Sequence, residues 1–579
     1  MHHIRNFFKS AILSQTSVFF FALMSLYLSV TVAQTKYPTD YFRHPMNLPV
    51  SMAGDFAEIR SDHFHSGIDL RTGGKEGEKV YAPADGYVSR INISAWGGGK
   101  VLYIIHPNGY RTVYMHLSAF CGEIGKFVSD YQNSHQTYAF DTELPKDSIP
   151  VKKGQLVALS GNTGGSAGPH LHYEIRYASN DQPINPLYFG INYEDPIAPT
   201  IAGVKIYPAT PSTLINGKNN EMKVGSQNDE ITVSGRFYTG IFTYDRMETG
   251  SNSKNGVEKI ELYVDDTLFH RYQVSTFMFE ETRGINAVID YQQFQRNREY
   301  YILSRRLQGD RSNYNTVVRD NGYLSFSDNN THTLEYRVSD YKGNTSRFRF
   351  RVKAISSKGE VFFHDTGIHA KGEPITYYKR FNMLQSDFSV EMEPYTVYSN
   401  DMLAYSVMKD ADGLTPLHRI ELVRHPLPPH QSFTVRIAVP KSVPTNLRDK
   451  LTVVCISGKK ISACSTRLKG EWLEASTRSF GGFSVRLDTV APTVAPVNFT
   501  ETKAFNGNEL KVKIGDNLSG VDTYKCFVNG KWALAEHDGK TSSLTVNARY
   551  LKKGENTVTF RITDAAGNAI EETWKIRRP

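Results

Sequence analysis

Cysteine is scarce in this chain: 579 residues contain only four, Cys121, Cys455, Cys464 and Cys526. That excludes a disulfide-stapled scaffold and leaves the fold to rest on buried apolar cores. Cys455 and Cys464 flank Ser457-Gly458-Lys459-Lys460, a spacing that suits either a bridged hairpin or two free thiols. Long hydrophobic runs are missing beyond the amino terminus, and nothing after Ala33 reaches the ~20 apolar residues of a membrane-spanning helix. Lysine and arginine never form a block, and the formal net charge of +8 is mild for this length. The concentrated basic footprint of a nucleic-acid-binding protein is therefore absent. The glycine-rich stretch 160–168 lacks the Gly-Lys-Ser/Thr ending of a phosphate-binding nucleotide loop.

Residues 1–33 have the layout of an export signal. Arg5 and Lys9 precede an apolar run from Val18 to Val30, and Thr31-Val32-Ala33 closes it with small residues. An uncleaved anchor is the alternative, but Ser14, Gln15, Thr16 and Ser17 interrupt the backward extension it would need. The expected location is outside the cytoplasm, in the periplasm or cell envelope or beyond it.

At ~150 residues per domain the length predicts three or four domains. Aromatics make up 12% of residues, and short alternating runs bounded by glycine and proline recur, so the expected class is mostly β. An internal repeat divides the carboxy-terminal two thirds. Asp195-Pro-Ile-Ala-Pro-Thr200 recurs as Asp488-Thr-Val-Ala-Pro-Thr493, and each segment closes on a similar hairpin, Asp340-Tyr-Lys-Gly343-Asn344 and Asp564-Ala-Ala-Gly567-Asn568. Two copies of one β-sandwich account for this, expected over 196–355 and 488–579, with a β-rich middle domain over 356–487. Asp340 and Asp564 read as turn residues, and no carboxylate cluster stands out as a calcium site.

The chemistry is concentrated in 37–193. His65-Ser-Gly-Ile-Asp69 and Pro169-His170-Leu171-His172 together offer imidazole and carboxylate ligands, and a set of two histidines and one carboxylate leaves zinc an open position for water. On a strand His170 and His172 share one face while Leu171 points to the other. The preceding glycines of 160–168 let backbone approach a cleft.

The ordered motifs Phe56-Ala-Glu-Ile-Arg60, His63-x-His65-Ser-Gly-Ile-Asp69, Ala82-Pro-Ala-Asp-Gly86, Tyr114-Met-His116-Leu, Val151-x-x-Gly154-Gln155 and Gly161-Asn-Thr-Gly164 through Gly168-Pro-His-Leu-His172 resemble the lysostaphin-type (LytM-like) zinc endopeptidases of peptidoglycan. The resemblance covers Met52 to Arg176. It implies a compact antiparallel β-sheet peptidase domain with a groove over one zinc ion, held by His65, Asp69 and His172. It further implies that His116 and His170 line the groove as non-ligand histidines, one taking a proton from water and the other stabilising the intermediate or protonating the leaving amine. The repeat segments resemble bacterial immunoglobulin-like domains. His63, His106 and His135 read as bystanders, with His63 placed to support a ligand.

Two departures stand out. Ala57 occupies a position where the family commonly has glycine. The stretch between Leu117 and Val151 is longer than in compact members, and it is expected either to wall the groove or to form a surface excursion with a short helix. The function expected is a secreted zinc-dependent endopeptidase acting on stem or cross-bridge peptides of peptidoglycan. The competing expectation is an inactive member that binds the wall or regulates other wall hydrolases. Partners on this reading are peptidoglycan peptides, with envelope proteins or glycans as further options for the β domains.

Overall fold

The computed structural model describes residues 37–248, 253–355 and 372–579. It is 46% strand and 9% helix, so the chain is mostly β as its alternating runs require. The expected leader lies outside the described residues, and none of the described helices is long and apolar enough to cross a membrane.

The amino-terminal body is organised around one antiparallel sheet. Its strands run in the order Met52–Gly54, Ile68–Arg71, His170–Tyr177, Tyr110–Met115, Lys100–Ile105, Gly86–Ile93 and Phe140–Glu143. A second sheet of Lys79–Tyr81, Leu156–Leu159 and Ala119–Phe120 packs beside it. Ile68, Leu70, Tyr114, Leu171, Tyr173 and Ile175 point from the large sheet into the shared core. The opposite face of the same central strands is thereby left for polar side chains.

The long stretch after Leu117 forms the helix Gly122–His135, which buries Ile124, Val128 and Gln132. Ile124, Val128 and Tyr138 join the core of this body, while the partly buried Tyr524 and Leu534 of the carboxy-terminal body pack against that core. No residue of 117–151 lines the groove described below. The expectation that it walls the groove is corrected: its apolar side chains draw it onto the core instead.

Three further cores follow. Residues 204–352 enclose one between a four-stranded and a seven-stranded sheet, residues 375–485 one between six- and five-stranded sheets, and residues 499–576 one between two four-stranded sheets. The first of these takes in Phe56, Ala57 and Phe64 from the amino-terminal body, with Phe64 edge-on to Tyr314 at 4.6 Å and Phe56 beside Phe277 at 5.4 Å. Two neighbouring bodies thus share one hairpin. Ala57 sits there at φ +63°, the left-handed region in which glycine carries no penalty.

The repeated turns are built alike. Asn344 Nδ2 donates to the Asp340 carboxylate at 2.8 Å and to the Asp195 carbonyl at 2.9 Å; Asn568 Nδ2 does the same to Asp564 at 2.8 Å and to Asp488 at 3.1 Å. Asp340 and Asp564 are turn residues as expected, but each also belongs to a group of three carboxylates, which the sequence reading had set aside. All four cysteines are free thiols, including Cys455 and Cys464.

Two outcomes follow from this packing. Phe64→Ala should destabilise the chain by about 3–5 kcal/mol, as truncation of a fully buried aromatic does, measured by urea unfolding. His106 and His270 are buried and pushed down to about 4 by that burial. The unfolded chain takes up these protons near pH 6.5 and the folded chain only near 4, so stability should fall as pH drops through that window. Melting temperature recorded against pH checks the direction.

Candidate metal centre and groove

Strand pairing brings the sequence motifs together. On the antiparallel pair of Ile68–Arg71 with His170–Tyr177, His172 stands directly opposite Asp69 and His170 opposite Arg71. His65 reaches the same point from the turn that ends the shared hairpin, where its backbone bonds to Glu58 and Ala57. Gly67 makes room for the crossing: a Cβ there would lie 2.3 Å from the Tyr173 carbonyl. His116 follows the strand Tyr110–Met115 at φ +62°, and its amide donates to Gly98 at 2.8 Å. This left-handed backbone, rare for a non-glycine residue, turns its ring towards His170.

Three donor atoms converge. His65 Nε2, His172 Nδ1 and Asp69 Oδ1 form a triangle with edges of 2.9, 2.9 and 3.0 Å. Each is fixed from behind. His65 Nδ1 donates to the Asp55 carbonyl at 2.5 Å, His172 Nε2 donates to Glu174 Oε1 at 2.9 Å, and Arg60 donates to Asp69 Oδ2 at 3.0 Å. Because a carbonyl and a carboxylate only accept, those bonds commit the outer imidazole N–H groups and turn the inner nitrogens towards the centre.

The donor set fits a small divalent cation. Donors ~2.0–2.1 Å from a tetrahedral ion lie about 3.3 Å apart, so the triangle needs to open by only a few tenths of an ångström. Burial disfavours charge on His172, but hydrogen bonds to Asp69 and Glu174 outweigh it and raise the ring to about 9. Asp69 is held well below the usual carboxylate range by His65, His170 and His172, against the effect of burial.

The other two histidines stand beside the triangle. The His170 ring is 4.8 Å from that of His116, and its Nε2 is 3.4 Å from Asp69 Oδ1. His170 Nδ1 donates to the Gly168 carbonyl at 2.8 Å and His116 Nδ1 to the Thr163 carbonyl at 2.9 Å. Both Nε2 atoms are thereby left as proton acceptors. Burial, then the neighbouring His172 and His170, push His116 down to about 3, so it is neutral at physiological pH.

These side chains open into a groove of about 990 Å³, lined by glycines 73, 74, 97 and 98 and by residues 165–170. The backbones of 97–99 and 164–165 interlock along one part of this lining. Gly165 donates to the Gly97 carbonyl at 2.7 Å, and a Cβ on Gly164 would come within 2.3 Å of the Gly99 amide. The carboxy-terminal body holds this part of the lining from outside: Lys540 donates to the carbonyls of Asn162 and Ser166, and Glu536 pairs with Lys100 at 2.8 Å.

All five singled-out residues, His65, Asp69, His116, His170 and His172, are therefore brought to one place. His63 lines the groove but pairs with Asp62, while His106 and His135 bond elsewhere. The sequence reading missed Glu174, Arg176 and the Asp55 carbonyl. Glu174 is wholly buried; burial raises its carboxyl, but Arg176 and His172 bring it to about 2. A signal was present: His172, Glu174 and Arg176 alternate along one strand and must share its polar face.

Comparison with known proteins accords with this geometry. Residues 63–133 and 130–186 match peptidase family M23, and residues 373–488 match the Zu5-like domain. An uncharacterized metalloprotease of Haemophilus influenzae is 39% identical over 123 residues, 21% of this chain and 20% of that protein. The DD-carboxypeptidase/endopeptidase Mpg of Neisseria meningitidis serogroup B is 35% identical over 21% of this chain and 22% of its own length. Murein hydrolase activator NlpD of Salmonella dublin is 30% identical over 22% and 27%. The chain thus spans about a fifth to a quarter of the relatives it matches.

Glu174→Gln keeps the volume and removes the charge behind His172. Apparent affinity for a divalent metal should fall roughly 10- to 100-fold, as loss of an outer-shell partner does, read by competition with a chromophoric chelator.

Proposed function

Because residues 63–186 make up a peptidase family M23 domain, we propose that this chain is a zinc-dependent endopeptidase that hydrolyses peptide bonds of peptidoglycan in the cell envelope. The observation that carries the reading is the buried triangle of His65, Asp69 and His172 with two proton-accepting imidazoles beside it. Two nitrogens and one carboxylate oxygen are the ligand chemistry of catalytic zinc sites. Zinc bound there supplies Lewis acidity towards a carbonyl and acidifies water.

The chain's own residues do the rest. A groove walled by glycine backbone admits an extended peptide with short side chains and lays its amide over the triangle. His116 or His170 accepts the proton of the attacking water at Nε2 as its oxygen bonds to the carbonyl carbon. The other imidazole hydrogen-bonds the oxyanion, and the C–N bond breaks as a proton passes to the departing nitrogen. Arg60 keeps Asp69 oriented throughout. The relatives named for DD-carboxypeptidase/endopeptidase activity support the substrate class, a cross-link between stem peptides.

A regulatory reading has one observation in its favour, the likeness to a protein named as a murein hydrolase activator. It leaves the two imidazoles next to the triangle without a task. The five-residue constellation favours the enzyme.

Purified cross-linked muropeptides incubated with the chain and zinc should yield new monomers by mass spectrometry. His116→Ala and His170→Ala should each lower turnover by roughly 10²- to 10⁴-fold while still binding zinc stoichiometrically, whereas His65→Ala should lose zinc and turnover together. Intact substrate across several wall types, with zinc fully bound, would favour the regulatory reading.

A further inference from the structure

The second carboxylate group lies where the peptidase domain meets the body that follows it. Asp195 precedes the strand Thr200–Pro208, Asp245 follows Phe237–Tyr244, and Asp340 follows Thr331–Ser339. One oxygen from each lies within 4.8 Å of the others. The three residues are only 8%, 0% and 1% exposed, and among the described residues no lysine or arginine forms an ion pair with any of them. Asp340 is satisfied by the amides of Lys342 and Asn344. Asp245 is not: neither of its buried carboxylate oxygens, nor Oδ2 of Asp195, makes a hydrogen bond of good geometry, and apart from the Arg246 amide the close neighbours of Asp245 are the acids Asp195 and Asp340.

A further polar atom points the same way. Asp245 and Asn255 exchange backbone hydrogen bonds of 3.0 Å across an antiparallel bridge, so their side chains share a face. Asn255 is 2% exposed and its Oδ1 also lacks a partner. The Tyr193 hydroxyl, at the same junction, is buried and unpartnered too. Unpaired buried carboxylates cost several kcal/mol each unless a counter-charge is present. Burial and the adjacent acids accordingly push the Asp245 carboxyl up.

We infer that Asp195, Asp245 and Asp340, with Asn255, bind a hard divalent cation of calcium type at the junction between the peptidase domain and the body that follows it. All the unpartnered donors are oxygens, which suits calcium or magnesium and not a nitrogen- or sulfur-seeking metal. Oxygens on opposite sides of a calcium ion at ~2.4 Å lie about 4.8 Å apart, and its irregular coordination tolerates ligands from three separate chain segments. Magnesium demands a tighter octahedron and retains its waters.

The repeat supplies an internal contrast. Asp488, Asp516 and Asp564 occupy the corresponding places in the last body, also within 4.8 Å of one another. There, however, the amides of Ser519, Leu518 and Gly520 bond to Asp488 and Asp516, leaving Asp516 Oδ1 as the one unpartnered carboxylate oxygen of the group. The first group therefore holds the tighter ion. It also bears on the peptidase: Gly256, next to Asn255, donates to the Asp55 side chain at 2.7 Å, and the Asp55 carbonyl holds His65.

The test uses the full chain freed of metal and reloaded with one equivalent of zinc, titrated calorimetrically with calcium chloride and, separately, magnesium chloride. Calcium should bind, magnesium more weakly. Asp245→Asn should remove the tightest calcium event, and Asp516→Asn should leave it in place. Thermal melts guard against a merely misfolded variant: without calcium Asp245→Asn should melt above the parent, because an unbalanced charge is gone, and with saturating calcium it should melt below. Absence of calcium binding at millimolar concentration, a tightest event unchanged in Asp245→Asn, or a preference for magnesium would overturn the proposal.

Discussion

Three electron-pair donors held about 3 Å apart at the buried base of a groove repel one another, and the amino-terminal body is arranged to keep them there. The repulsion is countered from behind, atom by atom. The Asp55 carbonyl, the Glu174 carboxylate and the Arg60 guanidinium each fix the orientation of one donor, and Arg176 in turn compensates Glu174. Neutralising this cluster with a cation is worth more in a buried setting than in water, because the effective dielectric is lower. Binding and folding free energies are thereby linked, as they are wherever ligands must be desolvated before the ion arrives.

The arrangement extends beyond one body. His65 lies one residue past Phe64, whose ring belongs to the core of the following body, and ten residues past Asp55, whose side chain accepts from Gly256 of that same body. A hairpin anchored at both ends in a neighbouring core has little freedom to move the imidazole it carries. The β bodies thus act on the chemistry through position, whatever else they bind. Fold alone would not have assigned them that task.

The sequence made the central features legible because they depend on local spacing. Alternation along His170–Tyr177 placed two histidines on one face, and the four-residue step from His65 to Asp69 brought a ligand pair into reach. Closing the repeat on Asp340 and Asp564 was legible for the same reason, since turn residues declare themselves within five positions. What escaped were features that depend on distant partners. Asp340 reads as a turn residue until Asp195 and Asp245 are brought beside it by strands that sequence order does not make neighbours. The stretch after Leu117 read equally well as a groove wall or an excursion, because the destination of an amphipathic helix depends on which core is nearest. Glu174 was missed although its spacing was available; a buried carboxylate between a histidine and an arginine on one strand face is a pattern worth seeking.

The grip of Lys540 on the carbonyls of Asn162 and Ser166 sets an order of events. The loop it holds carries Gly168, whose carbonyl orients His170, and it interlocks with the adjoining backbone of 97–99. Ribosomal synthesis delivers the histidines before Lys540, and domains fold largely as they emerge. A nascent chain therefore possesses its donor residues, and the body that anchors the His65 hairpin, before the outer brace of its groove. The groove's outer support is complete only once the body that carries Lys540 has docked.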